Sequence, residues 1–271
     1  MIPDTPYPRR SGAAAAFLDR RLAAGGVTFA LADLLKETGL SAAAAKNQLR
    51  RLAPRVVRVS TKHPFFLIVG PEHAVMGAPP AAWWLDDYFK WLGHPYYVAL
   101  QSAAAFYGST AQALQVTQIM TDVPRREINV GRLRFQFFVK RHIEETPTQP
   151  LASAYAPLRV SSPEATAFDL VRYASRIGGI GRAAETLTPL FPLLRLSELK
   201  HLLKAENETS TAQRLGHILE NTGQAKLAEV IHARLPSQIP WIPLVPTKAD
   251  LSHAPMIKRW RLLSNSAESY L

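Results

Sequence analysis

The chain has 271 residues, of which 47% are hydrophobic, and its 32 Lys or Arg against 21 Asp or Glu give a formal net charge of +11. No apolar run approaches the roughly 18 residues of a membrane span, and no signal segment opens the chain, so we expect a cytoplasmic protein that does not bind membranes. The absence of cysteine excludes disulfides, thiolate metal sites and cysteine nucleophiles. The eight histidines lack the close helical spacing of a zinc site, and we expect neither a metal nor another cofactor.

The first predicted motif is a helix-turn-helix. Leu31, Leu34 and Leu35 lie on one helical face, Gly39 suits the left-handed residue of a tight turn, and Ser41 caps the next helix.

The second helix of this motif has two distinct faces. The face expected to pack inward is small and apolar: Ala42, Ala45, Leu49 and Leu52. The opposite face carries Ala43, Lys46, Asn47 and Arg50, and Arg51 follows. Small Ala43 lets the backbone approach base edges, Asn47 can pair with adenine, and the cations can reach guanine or phosphate. The pattern predicts a DNA-recognition helix.

A basic β-hairpin follows the helices. Residues 56–60 and 65–69 are predicted strands joined by residues 61–64, as in the wing of a winged helix. The basic residues expected to meet the sugar-phosphate backbone are Arg55, Arg58, Lys62 and His63, with Arg9 and Arg10 ahead of the first helix.

Charge is concentrated in the same region. Residues 1–70 hold 11 Lys or Arg against 4 Asp or Glu, a net +7, whereas the other 201 residues carry a net +4. A local basic excess is the electrostatic footprint expected of a DNA-binding module. The alternative is an interaction domain whose basic face is only solvated.

Gly and Pro between residues 70 and 82 predict a linker, so we expect a winged helix-turn-helix domain at residues 1–78 and a larger domain at 79–271. In the larger domain we expect helices at 83–92 and 99–107, then strands between 113 and 141. Those strands include a hairpin that turns at Gly131-Arg132.

From residue 163 the pattern is helical, in segments 163–176, 181–190, 197–206, 210–222 and 224–234. Trp241 and Trp260 are expected to anchor the proline-rich tail. The fold class is therefore α+β, with a small antiparallel sheet and a helical C-terminal half.

Four phrases fall in the order typical of AbiEi-type antitoxins of type IV toxin-antitoxin systems: VALQSAAAFYGS at 98–109, RVSSPEATAFDLV at 159–171, AQRLGHILENTG at 212–223 and KRWRLLSN at 258–265. Together with the winged helix they cover nearly the whole chain, which therefore resembles that family.

The resemblance implies a repressor that binds double-stranded DNA at inverted repeats in its own promoter, as a dimer, in a phage-defence operon. It also implies that the larger domain counteracts a nucleotidyltransferase-like toxin, with or without direct contact. The DNA-contact role then falls on Lys46, Asn47, Arg50 and Arg51. The candidates for an antitoxin surface are Glu164, Asp169, Arg214 and Glu220, although each also suits an ordinary structural role.

The sequence leaves two other functions open. One is a winged-helix regulator whose second domain senses a ligand or dimerises, with no toxin partner. The other is an enzyme, because Gly108-Ser109 followed by Asp122 is typical of nucleotidyltransferases. Two-metal chemistry needs a second carboxylate that this stretch lacks, so we expect no catalytic activity.

Overall fold

The structure is a computed structural model that describes residues 12–109, 115–151, 157–247 and 249–266. Arg9 and Arg10 lie outside these ranges. The described part mixes helices with short strands, and the predicted α+β fold class is confirmed.

Half of the described α-helices follow residue 162, as the helical pattern predicts. In chain order the helices are α1 (Ala13–Ala23), α2 (Leu31–Thr38), α3 (Ala42–Arg51), α4 (Leu85–Leu92), α5 (Leu100–Phe106), α6 (Pro163–Arg172), α7 (Ile180–Leu187), α8 (Leu196–Ala205), α9 (Thr209–Asn221) and α10 (Ala225–His232). Within the described ranges, no helix has both the length and the apolar character needed to cross a membrane.

The strands are short and form three sheets. They are β1 (Thr28–Ala30), β2 (Val56–Ser60), β3 (His63–Ile68), β4 (Tyr96–Val98), β5 (Val116–Thr121), β6 (Ile128–Val130), β7 (Leu133–Val139), β8 (Thr148–Leu151), β9 (Leu158–Ser161), β10 (Ile242–Pro243), β11 (Met256–Ile257) and β12 (Leu262–Leu263). The strand orders are β1-β3-β2, β10-β12-β11 and β6-β7-β5-β4-β9-β8.

Residue contacts divide the chain into two compact units. The first unit comprises residues 1–94, 125–136 and 151–158, and the second comprises 95–124, 137–150 and 159–271, each in its described part. Because the units interleave along the chain, they do not test a boundary between consecutive domains. The division at residue 78 therefore stays a prediction.

The first unit contains the elements of a winged helix-turn-helix. Gly39 adopts a left-handed conformation (φ 63°) and ends α2, where its N–H donates to Leu35 O. Phe17, Leu34 and Leu49 are among the residues that bring α1, α2 and α3 together in one apolar cluster.

The hairpin of this unit begins its second strand earlier than predicted, at His63 instead of Phe65. Strand β1 pairs with β3 only from Phe65 onward, and Pro64 falls where the β2–β3 register shifts between the Arg58–Phe66 and Ser60–His63 pairs. A proline lacks the N–H that a second neighbour would need, and it is tolerated where one side of a strand is unpaired.

The second unit has a larger apolar core. Ser162 caps α6 by accepting a hydrogen bond from Ala165 N (3.2 Å), and Pro163 occupies the first helical turn. Phe168 and Leu170 of α6 are fully buried in the core between the sheet and the later helices.

Two details of the second unit differ from the expectations. Strand alternation along residues 133–139 predicts that Phe138 shares the solvent face of Arg134, but it is fully buried and packs edge-on against Tyr173. Trp260 is fully buried and anchors the tail as predicted, whereas Trp241 is exposed.

Candidate nucleic-acid interface and the buried charge cluster

The start of α3 is fixed by its cap. Ser41 Oγ accepts a hydrogen bond from Ala44 N (3.3 Å), and Ser41 O accepts from Ala45 N (2.9 Å). The Ala44 N–H has no carbonyl partner within the helix and is satisfied by the hydroxyl, while the Ala45 N–H makes the first intrahelical bond to the cap residue. The Ser41 hydroxyl therefore orients α3, the helix that carries the predicted reading face.

One face of α3 packs against the rest of the first unit. Ala45 and Leu49 are buried, and Gln48 Oε1 accepts a hydrogen bond from Ala14 N of α1 (2.9 Å). Ala42 is exposed in the first turn, although it was predicted to pack inward. The helix is thus anchored through its second and third turns.

The opposite face of α3 is exposed over its whole length: Ala43, Lys46, Asn47 and Arg50, with Arg51 beside them. The Arg50 guanidinium donates to Asn47 Oδ1 (3.4 Å), one turn earlier on the helix. An exposed pair of this kind costs little to separate. Both side chains can therefore turn to an external ligand, while their contact with bases stays a prediction.

The cationic side chains predicted for the wing differ in the contacts that they make within the protein. Arg55 pairs with Asp19 (2.6 Å), and Arg58 Nε donates to His63 O (2.8 Å) while its guanidinium lies over the Phe66 ring. Lys62 is exposed in the two-residue turn between β2 and β3. Among these wing cations, Lys62 is the side chain best placed to reach phosphate.

His63 is partly buried at the start of β3 and does not project from a loop. Its Nδ1 is 2.8 Å from the Tyr88 hydroxyl, and its ring packs against the ring of Trp91. Burial, together with the positive charges of Arg125 and Arg58, lowers the pKa of His63. Because its Nδ1 is engaged by Tyr88 and its lowered pKa makes the imidazole less readily charged, His63 is a poorer phosphate ligand than Lys62.

In the second unit, two candidates for an antitoxin surface are interior residues. Glu164 is 2% exposed and accepts a hydrogen bond from Arg195 N (2.9 Å), and Asp169 is fully buried. A side chain without solvent exposure cannot form part of a recognition surface, which corrects that part of the prediction.

Asp169 belongs to a buried charge cluster around Lys140. Lys140 Nζ lies 3.1 Å from Asp169 Oδ1 and also pairs with Glu206, while Tyr97 donates to the other oxygen of Asp169 (2.7 Å). Arg172 adds a second cation beside Glu206 (3.6 Å) and pairs with Glu208 (2.6 Å).

The cluster controls the ionisation of its members. Burial alone would lower the pKa of Lys140, but the charges of Asp169 and Glu206 outweigh burial and raise it. Burial raises the pKa of Glu206, although the charge of Lys140 opposes this shift. Burial also raises the pKa of Tyr97 strongly. The cluster therefore holds a protonated lysine against carboxylates inside the core.

Arg214 and Glu220 hold the tail of the chain. Arg214 donates to the carbonyl oxygens of Pro243 (2.9 Å) and Leu244 (3.0 Å). Glu220 accepts from Trp260 Nε1 (2.6 Å) and pairs with Arg259 (2.8 Å). Their contacts are those of structural residues, and an antitoxin role for them stays a prediction.

The stretch considered as an enzyme site is also held by internal contacts. Ser109 Oγ donates to Thr186 O, and Asp122 Oδ1 accepts from Thr121 Oγ1 (3.1 Å). Within the described ranges, no three His, Asp or Glu side chains are arranged to hold a metal ion.

Comparison with known proteins places a family domain in this chain. Residues 96–221 match the family model of the AbiEi antitoxin C-terminal domain, which confirms the resemblance found in the sequence phrases. A comparison with curated proteins found no match.

The fold is also similar to solved structures. The RV2827C protein from Mycobacterium tuberculosis matches with a TM-score of 0.64 at 18% identity, over 93% of this chain and 91% of that chain. An antigenic nucleotidyltransferase-like protein from Paracoccidioides brasiliensis has a TM-score of 0.35 at 10% identity, over 57% of this chain and 92% of that one.

Proposed function

We propose that this chain, which carries an AbiEi antitoxin C-terminal domain at residues 96–221, is the antitoxin of a type IV toxin-antitoxin pair and represses its own operon. The α3 face of the first unit binds double-stranded DNA in the promoter. The larger domain counteracts a nucleotidyltransferase-like toxin, and the chain itself catalyses no reaction.

The observation that carries the DNA-binding half is the exposed face of α3. Lys46, Asn47 and Arg50 lie there at helical spacing, while Ala45 and Leu49 on the other face are buried. Charged and amide side chains that bury no core surface are available to a ligand. A helix of ten residues with a small residue near its N-terminus fits the major groove.

Each side chain has a distinct part in this binding. Asn47 pairs with adenine through its amide, and Arg50 pairs with guanine through its guanidinium, so both read sequence. Lys46, Arg51 and Lys62 neutralise phosphates, which raises affinity for every sequence and makes it depend on salt. Two copies on inverted repeats double the number of bases that are read.

The test is fluorescence anisotropy of the full chain on promoter DNA from upstream of its own gene, against scrambled DNA, over a salt series. Arg50→Ala or Asn47→Ala weakens promoter binding by about 1 to 3 kcal/mol and relaxes the base preference, because the variant no longer hydrogen-bonds to the base. Lys62→Ala weakens binding to both DNAs alike and lowers the salt slope by about 1.

Arg234→Ala is the matched control, since Arg234 is exposed and belongs to the second unit. It removes one positive charge and leaves binding unchanged. Equal losses on both DNAs for the Arg50 and Lys62 variants would mean that α3 does not read bases. No preference for the promoter at any salt concentration would reject repression by this route.

A further inference from the structure

A second basic hairpin belongs to the same compact unit as the winged helix. Residues 125–136 contain four arginines against a single glutamate, although they lie far from the winged helix in the sequence. They include β6, which packs beside the wing strand β2. The positive charge of the first unit therefore extends beyond the helices and wing of the winged helix-turn-helix.

The hairpin is held firmly through its apolar face. Gly131 at the turn has a φ of 58°, and a Cβ there would lie 2.2 Å from Met76 O. The turn therefore packs directly on the backbone at Met76. Arg132 N donates to Met76 O (2.8 Å), and Phe135 packs edge-on against Trp84. The hairpin is a fixed part of the unit.

The opposite face of the hairpin is exposed and basic. Asn129 and Arg134 are paired across the two strands, so their side chains share one face, and both are exposed. Arg126 and Arg132 are exposed as well. In the described part of the chain, none of these three arginines has a carboxylate within ion-pair distance.

The neighbouring Arg125 adds to this charge. Its guanidinium lies over the Phe89 ring, and its Nε finds no hydrogen-bond acceptor among the described residues. A rigid surface with several unneutralised cations is complementary to a polyanion, and the unit already presents the exposed face of α3.

We propose that Arg126, Arg132 and Arg134 form a second wing that binds phosphates of the same DNA duplex, beyond the bases read by α3. This inference rests on the proposed DNA binding. The second wing adds affinity that does not depend on base sequence, because a guanidinium on phosphate reads charge and not base identity.

The experiment measures salt dependence with the full chain. The probe is a labelled duplex of arbitrary sequence and about 30 base pairs, roughly three helical turns. For Arg132→Ala and Arg134→Ala we expect the slope of log affinity against log salt to fall by about 1 each. When salt is raised from about 50 to 200 mM, the ratio of wild-type affinity to variant affinity then falls about threefold for each arginine replaced.

Two matched variants separate local charge from net charge and packing. Arg134→Lys keeps the charge and keeps the wild-type slope. Arg234→Ala removes the same charge from the second unit and also keeps the wild-type slope. An unchanged melting temperature in each variant shows that the fold is intact.

The outcomes distinguish this inference from the proposed function. If the Arg50 and Lys62 variants behave as expected but the Arg132 and Arg134 variants match Arg234→Ala, the second wing is wrong and the recognition helix stands. If the wild-type chain binds neither promoter nor arbitrary duplex, both are wrong.

Discussion

At the scale of single residues, helical periodicity makes the exposure of a side chain predictable, whereas its contacts with distant residues are not. The exposed face of Lys46, Asn47 and Arg50 is predictable, because spacing along one helix fixes which side chains share a face. The contacts of Arg55 with Asp19 and of His63 with Tyr88 are not, because each partner lies in another element.

Lys140 is a second residue that the sequence does not mark. It follows the strand β7 directly, but its partners Asp169 and Glu206 come from α6 and from the end of α8. A lysine next to an apolar strand is usually solvated, and only the fold brings the two carboxylates to it.

Replacing that lysine tests the buried cluster. Lys140→Met lowers the free energy of unfolding by about 3 to 5 kcal/mol, because it leaves Asp169 buried without a cation and leaves Glu206 with only Arg172 at 3.6 Å. Urea unfolding at neutral pH measures the change. The exposed Lys204→Met on α8 is the control and changes stability by less than about 0.5 kcal/mol.

The same variant has a defined pH dependence. Glu206 has a raised pKa, so its folded form takes up a proton more readily than its unfolded form, whose pKa is near 4.5. The titration of Glu206 therefore increases the free energy of unfolding as pH falls towards 4.5. As pH falls towards 4.5, we expect the difference in free energy of unfolding between the wild type and Lys140→Met to become smaller. A difference that does not change with pH would show that Glu206 is not its source.

At the scale of elements, the four family-like phrases contact one another in pairs. Tyr107 donates to Ser161 O (2.6 Å), which joins the first phrase to the second. The Trp260 ring lies on Gly216, which joins the fourth phrase to the third. All four phrases therefore contribute residues to the packed core of the second unit.

Gly216→Ala tests that packing. A Cβ at residue 216 would lie 2.1 Å from the Trp260 ring, so we expect a loss of about 1 to 3 kcal/mol in stability. In a Trp260→Ala background the clash is absent, and the same change stabilises α9 by up to about 1 kcal/mol through helix propensity. Thermal or urea unfolding of the four proteins measures both effects, and an equal effect in the two backgrounds would contradict the contact.

Element positions and hairpin partners are largely predictable from the sequence, whereas the partners of strands that lie far apart in the chain are not. The turn at Gly131-Arg132 and the helices after residue 162 follow from local turn and periodicity signals. The parallel pairing of Val98 with Val160 joins strands far apart in sequence. No local signal specifies such a pairing, and the buried Phe138 likewise packs against a residue from another element, Tyr173.

At the scale of the whole molecule, the two proposed activities use different residues. The α3 face contributes nothing to the core of the second unit, and α3 lies outside the matched segment 96–221. A substitution on that face leaves the fold of the antitoxin domain unchanged, so the activities are separable.

We expect Asn47→Ala with Arg50→Ala to release repression at least about tenfold, which corresponds to losing about 1.4 kcal/mol or more of promoter binding. Neutralisation of the toxin stays at the wild-type level. A reporter fused to the promoter and co-expression with the neighbouring toxin gene measure the two activities, with Arg234→Ala as the control. Loss of both activities in a folded, equally abundant variant would mean that neutralisation itself works through DNA.

The interleaving of the two units also bears on synthesis. The first unit takes residues 125–136 from the later part of the chain. A ribosome builds a chain from its N-terminus at about 5 to 20 residues per second, and an N-terminal domain usually folds while the rest is being made. Here the hairpin segment 125–136 joins the first unit only after it has left the exit tunnel, so a nascent chain stalled earlier would hold the helix-turn-helix sequence without strand β6 beside β2.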